Sequence, residues 1–289
     1  MRRNLGHHRV GCEHHGLPEA AIDYAIQAGD TEQVAGLLLR LAFPVYYGGR
    51  LATLQRWFDW FEDHQLLERY PAVAVLGAWL QALVGRAAAA ERWADAAERG
   101  AFQAAGTLPD GTASIEGWLA LLRAVMCRHG VEQLRADAEL AGQLVPTGSL
   151  LRAPAVLLLG MSHLLVGDPD HADSLLAEAV EVAQDTKATD TAAIALAERA
   201  LVAIDRGQWD KAELLTDHAR SLLCRAHLDD YVTNLLLYAV AARLAIHQGN
   251  LAGAHADLAH AQRLRPQLTI ALPIYAVQAR LELVAAYLA

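Results

Sequence analysis

The stretch that decides the fold is Ala200-Leu201-Val202-Ala203-Ile204-Asp205-Arg206-Gly207-Gln208-Trp209-Asp210-Lys211-Ala212, with Ala219 seven residues further on. Gly207 has counterparts in Gly85, Gly130, Gly167 and Gly249, and the five glycines stand 45, 37, 40 and 42 residues apart. Seven residues upstream, Ala200 is matched by Ala78, Gly160 and Ala242. Five downstream, Ala212 is matched by Ala90, Ala172 and Ala254, and Ala219 by Ala97, Ala179 and Ala261. A fixed period of this length marks a stacked repeat array.

Seven residues make two helical turns, so each upstream small residue shares a helix face with its glycine. The glycine ends that helix, or lies just past it, where a left-handed backbone is tolerated. The two downstream positions share a face of a second helix, so the unit is a helix hairpin with a small-residue seam, which cannot bury its apolar side alone. It resembles the tetratricopeptide repeat, with a longer period, few of the usual large aromatics, and a degenerate copy at Gly130, where Arg123, Arg135 and Gly142 hold the seam positions. The expected fold is all-α, a right-handed α-solenoid of tetratricopeptide-like hairpins. Residues 1–65 read as a helical linker region and 66–289 as the repeat array.

A chain of 289 residues with 54% hydrophobic and 20% charged residues supports a packed core and is unlike a disordered chain. Its most apolar run, Ala153 to Val166, is interrupted by Pro154, Ser162 and His163 and is too short to span a bilayer. Cys12, Cys127 and Cys224 are odd in number and far apart, the usage of a reducing compartment. No apolar segment follows Arg2 and Arg3, so no secretory signal is read and a cytoplasmic location is expected. A net charge of −9, with Lys187 and Lys211 the only lysines, argues against a phosphate-backbone partner. Arg2, Arg3 and Arg9 read as a solvated end.

Along the chain the apolar spacing predicts helix nearly throughout and no sheet. Pro18 opens a helix to Ala28. Gly29-Asp30-Thr31 reads as a stop followed by a cap; helix is expected from Thr31 to Ala42, broken by Pro44 and Gly48-Gly49. Helices are expected over 51–61, 71–84, 86–104, 112–128, 131–143, 152–165, 169–184, 188–205, 209–225, 229–247, 251–264 and from about 271. Leu108-Pro109-Asp110-Gly111 reads as a turn. The chain stops at Leu288-Ala289 in mid-helix, as expected of the middle of a longer polypeptide.

Three strings in the N-terminal third are more particular: His14-His15-Gly16-Leu17-Pro18-Glu19-Ala20-Ala21-Ile22 with Tyr24-Ala25-Ile26-Gln27-Ala28-Gly29-Asp30; Gly49-Arg50-Leu51-Ala52-Thr53-Leu54 with Arg56-Trp57; and Arg69-Tyr70-Pro71 leading through Ala78-Trp79-Leu80 to Gly85-Arg86 and Ala90-Glu91-Arg92-Trp93. In this order they resemble the segment joining the ATPase module to the repeat array in MalT-like regulators of the LuxR family. The resemblance is strong over residues 14–100 and generic beyond. It implies a sensor region that elsewhere sits between an N-terminal P-loop ATPase and a C-terminal helix-turn-helix domain. This chain has no G-x-x-x-x-G-K-[ST] loop and no basic recognition helix.

His7, His8, Cys12, His14 and His15 lack the tight paired spacing of a zinc motif, so no metal is expected, and no cofactor. No Ser/His/Asp or Cys/His arrangement has a supporting local motif, so no catalytic residue is expected and the chain does not read as an enzyme. Asp229-Asp230 reads as a capping and dipole pair, and Trp57 and Trp60 as core aromatics. His163 reads as a core or groove histidine. Glu198, Arg199, Asn234, Tyr238 and Arg243 fall on first helices of their repeats, which line the concave surface of tetratricopeptide-like arrays. They are candidate contacts for a small-molecule effector or a protein segment, or a solvated face. Two functional readings remain, a sensor region of a MalT-like regulator and a stand-alone protein-binding scaffold with no role in transcription. No direct nucleic-acid or membrane binding is expected, and uncapped ends invite self-association.

Overall fold

Apolar residues recurring every three to four positions turn most of the chain into helix. The structure, a computed structural model, describes residues 18–100, 108 and 115–288. Among these are fourteen α-helices and no strand: α1 Pro18–Ala28, α2 Thr31–Tyr47, α3 Leu51–Asp63, α4 Pro71–Leu83, α5 Ala87–Gly100, α6 Glu116–Met126, α7 Val131–Leu144, α8 Arg152–Leu165, α9 Pro169–Thr186, α10 Thr189–Asp205, α11 Trp209–Ala226, α12 Leu235–His247, α13 Leu251–Leu264 and α14 Pro273–Leu288. The fold is all-α. No helix among the described residues is long and apolar enough to cross a membrane.

The glycines that set the period close the helices as expected. Gly85, Gly167, Gly207 and Gly249 have φ of 80, 80, 70 and 73°. In each turn the glycine N–H bonds the carbonyl three residues back, as in Gly207 to Ile204 at 2.9 Å, and the next N–H reaches five back, as in Gln208 to Ala203 at 2.8 Å. This pair of hydrogen bonds is the Schellman closure, which satisfies the last carbonyls of the helix and needs a left-handed residue. Gly130 does something else. It sits at φ 88°, ψ 179° as the residue before α7, and the left-handed residue that closes α6 is Cys127, φ 44°.

The seam also has its expected place: Ala78, Ala200, Ala242, Ala90, Ala172, Ala212, Ala254, Ala97, Ala179, Ala219 and Ala261 are all buried, as is Gly160. A Cβ on Gly160 would come within 3.0 Å of the Leu176 side chain, so α8 and α9 approach as closely as they do because none is there. In the degenerate copy α7 is rotated by about one residue, and Leu134, Ala138 and Ala141 are buried while Arg135 and Gly142 are not.

Two sequence expectations are corrected. α2 runs through Pro44 to Tyr47, because a proline so close to a helix end deletes one N–H while its own carbonyl still receives the Gly48 N–H at 3.0 Å. Helix does not begin at Asp229. A short 3-10 turn, Val232–Asn234, precedes α12, and Asp229 and Asp230 cap nothing. The Asp229 carbonyl receives the Tyr238 hydroxyl at 3.2 Å, and the Asp230 carboxylate pairs with His260 at 2.9 Å. The expected cap at Asp30 is present, its carboxylate accepting the Gln33 N–H at 3.1 Å.

The described residues within Met1–Leu80 and Ala89–Ile115 form one compact unit, and those within Gln81–Ala88 and Glu116–Ala289 a second. The first is built on aromatics. Trp57, Phe58, Phe61 and Trp93 are buried, with Phe58 edge-on to Trp93 at 4.9 Å. Trp93 lies flat against Gly77, where a Cβ would be 2.0 Å from its ring. One device occurs twice here: an Arg-Trp pair grips a carboxylate on an earlier helix. Arg56 and the Trp57 indole N–H hold Asp23 at 2.8 and 3.1 Å, and Arg92 and the Trp93 indole N–H hold Glu62 at 2.9 and 3.0 Å. Burial raises the Glu62 pKa, but the hydrogen bonds from Arg92 and Trp93 outweigh it and leave the carboxyl below its ordinary range.

In the second unit consecutive helices pack in antiparallel hairpins, α6 on α7, α8 on α9, α10 on α11 and α12 on α13. The first helices of these hairpins also touch one another in turn, α6 to α8, α8 to α10, α10 to α12, and α12 to α14. α14 touches α6 as well.

Candidate functional site

Glu198 is the centre of the most unusual environment in the second unit. Its position, nine residues before the period glycine, is held by Leu76, Leu121, Leu158 and Val240 in the other copies, all fully buried. Glu198 is 0% exposed too. Its Oε2 accepts the Gln278 Nε2–H of α14 at 2.5 Å, and its Oε1 has no hydrogen-bond partner among the described residues. Burial drives its pKa up to about 8, the Gln278 hydrogen bond opposing and Glu282 reinforcing the shift. The carboxyl is therefore protonated at neutral pH.

One turn along α14, Glu282 pairs with Arg243 of α12 at 2.9 Å. Tyr275 is buried in the same region, and burial followed by the Glu198 and Asp190 carboxylates pushes its phenol pKa up. The loop leading into α14 is tied down by the Thr269 hydroxyl, which donates to the Gly85 carbonyl at 3.0 Å. Two of the six candidate residues, Glu198 and Arg243, are thus brought together by α14.

The other four are placed elsewhere. Asn234 is buried and donates to the Leu228 carbonyl at 2.6 Å, pinning the turn before α12. Tyr238 is buried, with its ring stacked 3.8 Å from that of His260 and the Arg220 guanidinium 5.7 Å from its centroid. Burial, then Asp229, raises its pKa to about 12. Arg199 holds Asp173 at 2.7 Å, with Lys211 on the other oxygen at 3.1 Å. Burial of Asp173 is outweighed by these two cations, and its carboxyl lies below the ordinary range. His163 faces the α8–α9 turn, its Nδ1 3.2 Å from Asp168 Oδ2.

Sequence reasoning did not find Tyr275, Gln278 or Glu282, because α14 reaches back to helices some 40 to 80 residues earlier. One signal was available: an acidic residue at a repeat position otherwise aliphatic. Also unforeseen is a cavity of about 380 Å³ among α11, α12 and α13, lined by Glu213, Asp217, Arg220, Leu244, Gln248 and Asp257. Its Arg220 and Asp257 pair at 2.5 Å. The Cys127 thiol has its pKa raised by burial, against a nucleophilic role. The histidine and cysteine group at His7, His8, Cys12, His14 and His15 lies outside the described residues, as does most of the turn expected at 108–111.

No protein-family model matches the chain, and no curated protein matches it in sequence.

Proposed function

We propose that this chain is the helical-repeat sensor region of a MalT-like regulator of the LuxR family: a right-handed α-solenoid whose concave groove takes a small effector or a segment of a partner protein. The observation that carries the reading is the row of first helices α6, α8, α10 and α12 with α14 laid against it through Glu198–Gln278 and Arg243–Glu282. In this reading the row lines the groove and α14 occupies it in the unliganded state. A ligand acts by binding the state in which α14 has moved, and the difference in its affinity for the two states is the whole mechanism. The region works in the cytoplasm and performs no chemistry, and DNA contact belongs to another domain of the regulator.

Immunoblotting of source cells with antibody raised against this chain tests the regulator reading. A band far above 31.2 kDa is expected; a band at 31.2 kDa removes the ATPase and DNA-binding domains on which the reading depends. The groove is tested with a fluorescent peptide of residues 273–288 added to a chain ending at residue 272, so that the chain's own α14 does not compete. Saturable binding, weakened by Arg243→Glu, is expected; no binding to a shortened chain that keeps its helical circular dichroism sinks the groove.

A further inference from the structure

The α8–α9 turn places two imidazoles and a carboxylate around one point. The ligand atoms of His163, Asp168 and His171 all lie within 4.8 Å of one another. Both histidines present Nδ1 to the same oxygen, Asp168 Oδ2, His163 at 3.2 Å and His171 at 2.9 Å. Their rings are tilted by 31° with centroids 5.7 Å apart, so the two nitrogens converge. No arginine or lysine pairs with Asp168 among the described residues, whereas its neighbour Asp170 pairs with Arg206 at 2.5 Å.

The backbone holds this arrangement. Asp168 N–H donates to the His163 carbonyl at 2.9 Å, closing the turn at Gly167, and the Asp168 side chain caps α9 through the His171 N–H at 3.4 Å. The three ligands therefore span one hydrogen-bonded turn, His163 in the last turn of α8, Asp168 as the cap of α9 and His171 in its first turn. Only His171, 76% exposed, is free to swing, against 21% exposure for His163.

We propose that His163, Asp168 and His171 form a binding site for a divalent transition-metal ion of the zinc, cobalt, nickel or copper class. Two imidazole nitrogens and one carboxylate oxygen suit borderline cations, and three protein ligands leave a further position to water. On a tetrahedral zinc with bonds of about 2.0–2.1 Å, two ligating nitrogens stand about 3.4 Å apart. Swinging the exposed His171 ring closes the remaining distance and leaves the core untouched. The ion binds both Nδ1 atoms unprotonated, each neutral imidazole carrying its proton on Nε2, and so ties the end of α8 to the start of α9. The positive end of the α9 dipole opposes the cation, and the Asp168 carboxylate offsets it.

The full chain titrated with Zn²⁺ by calorimetry, and with Co²⁺ by its visible absorption, tests the site. Alanine at His7, His8, His14 and His15 provides a background in which the N-terminal histidines contribute nothing. In that background one ion per chain is expected, and His171→Ala, an exposed change that leaves packing intact, weakens it at least about tenfold. His163→Ala weakens it likewise. Absence of binding in that background, or affinity unchanged by His171→Ala, overturns the proposal.

Discussion

α8 and α10 occupy equivalent places in neighbouring hairpins, yet they carry opposite side chains at the same depth. Leu158 is fully buried in one and Glu198 in the other. A leucine there adds apolar contact, whereas a glutamic acid must shed its charge and find a partner. Burial makes Glu198 shed its charge, with Glu282 of α14 reinforcing the shift, and α14 supplies the partner, Gln278. The difference teaches that a repeat position is not a chemical environment: what tolerates the acid at α10 is a helix from 80 residues away.

Exchanging the two residues breaks this comparison most sharply. Leu158→Glu, with nothing shown to receive it, should lower stability by about 4 kcal/mol or more in urea denaturation. Replacing both members of the polar pair, Glu198→Leu with Gln278→Leu, should change stability far less, because a buried apolar replacement of a polar pair is often near neutral. Equal losses in the two variants would mean that the Glu198–Gln278 pair is itself strongly stabilising rather than merely tolerated.

The pH dependence follows in size. The folded-state pKa of Glu198 is raised from 4.5 to about 8, so between these values the folded chain keeps a proton that the unfolded chain has released. The contribution of Glu198 is complete below pH 4.5 and is lost as pH rises toward 8, at about 1.4 kcal/mol per pH unit. Denaturation midpoints measured from pH 5 to 9 should show this slope in the wild type. Glu198→Gln, which mimics the protonated acid, should remove it, and a slope that survives the substitution refutes the assignment.

Helix ends supply a smaller contrast. Gly207→Ala forces a side chain into φ 70° and should destabilise by about 1–2 kcal/mol. Cys127→Gly relieves an equivalent strain at φ 44° and should stabilise, by up to about 1 kcal/mol. Thermal melts of the two variants should therefore move in opposite directions. Smallest of all, Arg135→Ala in the rotated copy should fall within about 0.5 kcal/mol of the wild type, since Arg135 is only part-buried and the inward place belongs to Leu134.

Most of the fold was legible because its determinants are local. Glycine tolerates the left-handed residue that a Schellman closure needs, and small residues seven apart mark a close helix crossing, so Gly207, Ala200 and Ala212 could be read directly. Even the degenerate copy was visible as a departure, although not that Cys127 would replace the glycine. The Arg-Trp pairs were recognisable as words whose meaning, a grip on Asp23 and Glu62, appears only when helices 30 to 34 residues apart are brought together.

The site residues divide on the same line. His163, Asp168 and His171 are close in sequence, yet only the turn geometry shows that their ligand atoms converge. Asn234 and Tyr238 looked like polar groove residues, and packing turned them inward onto backbone carbonyls. By itself the sequence determined helix, turn and seam, because backbone sterics and side-chain volume act within a few residues. The tertiary structure alone decided the state of Glu198, since a pKa depends on what surrounds the charge, and its partner comes from α14.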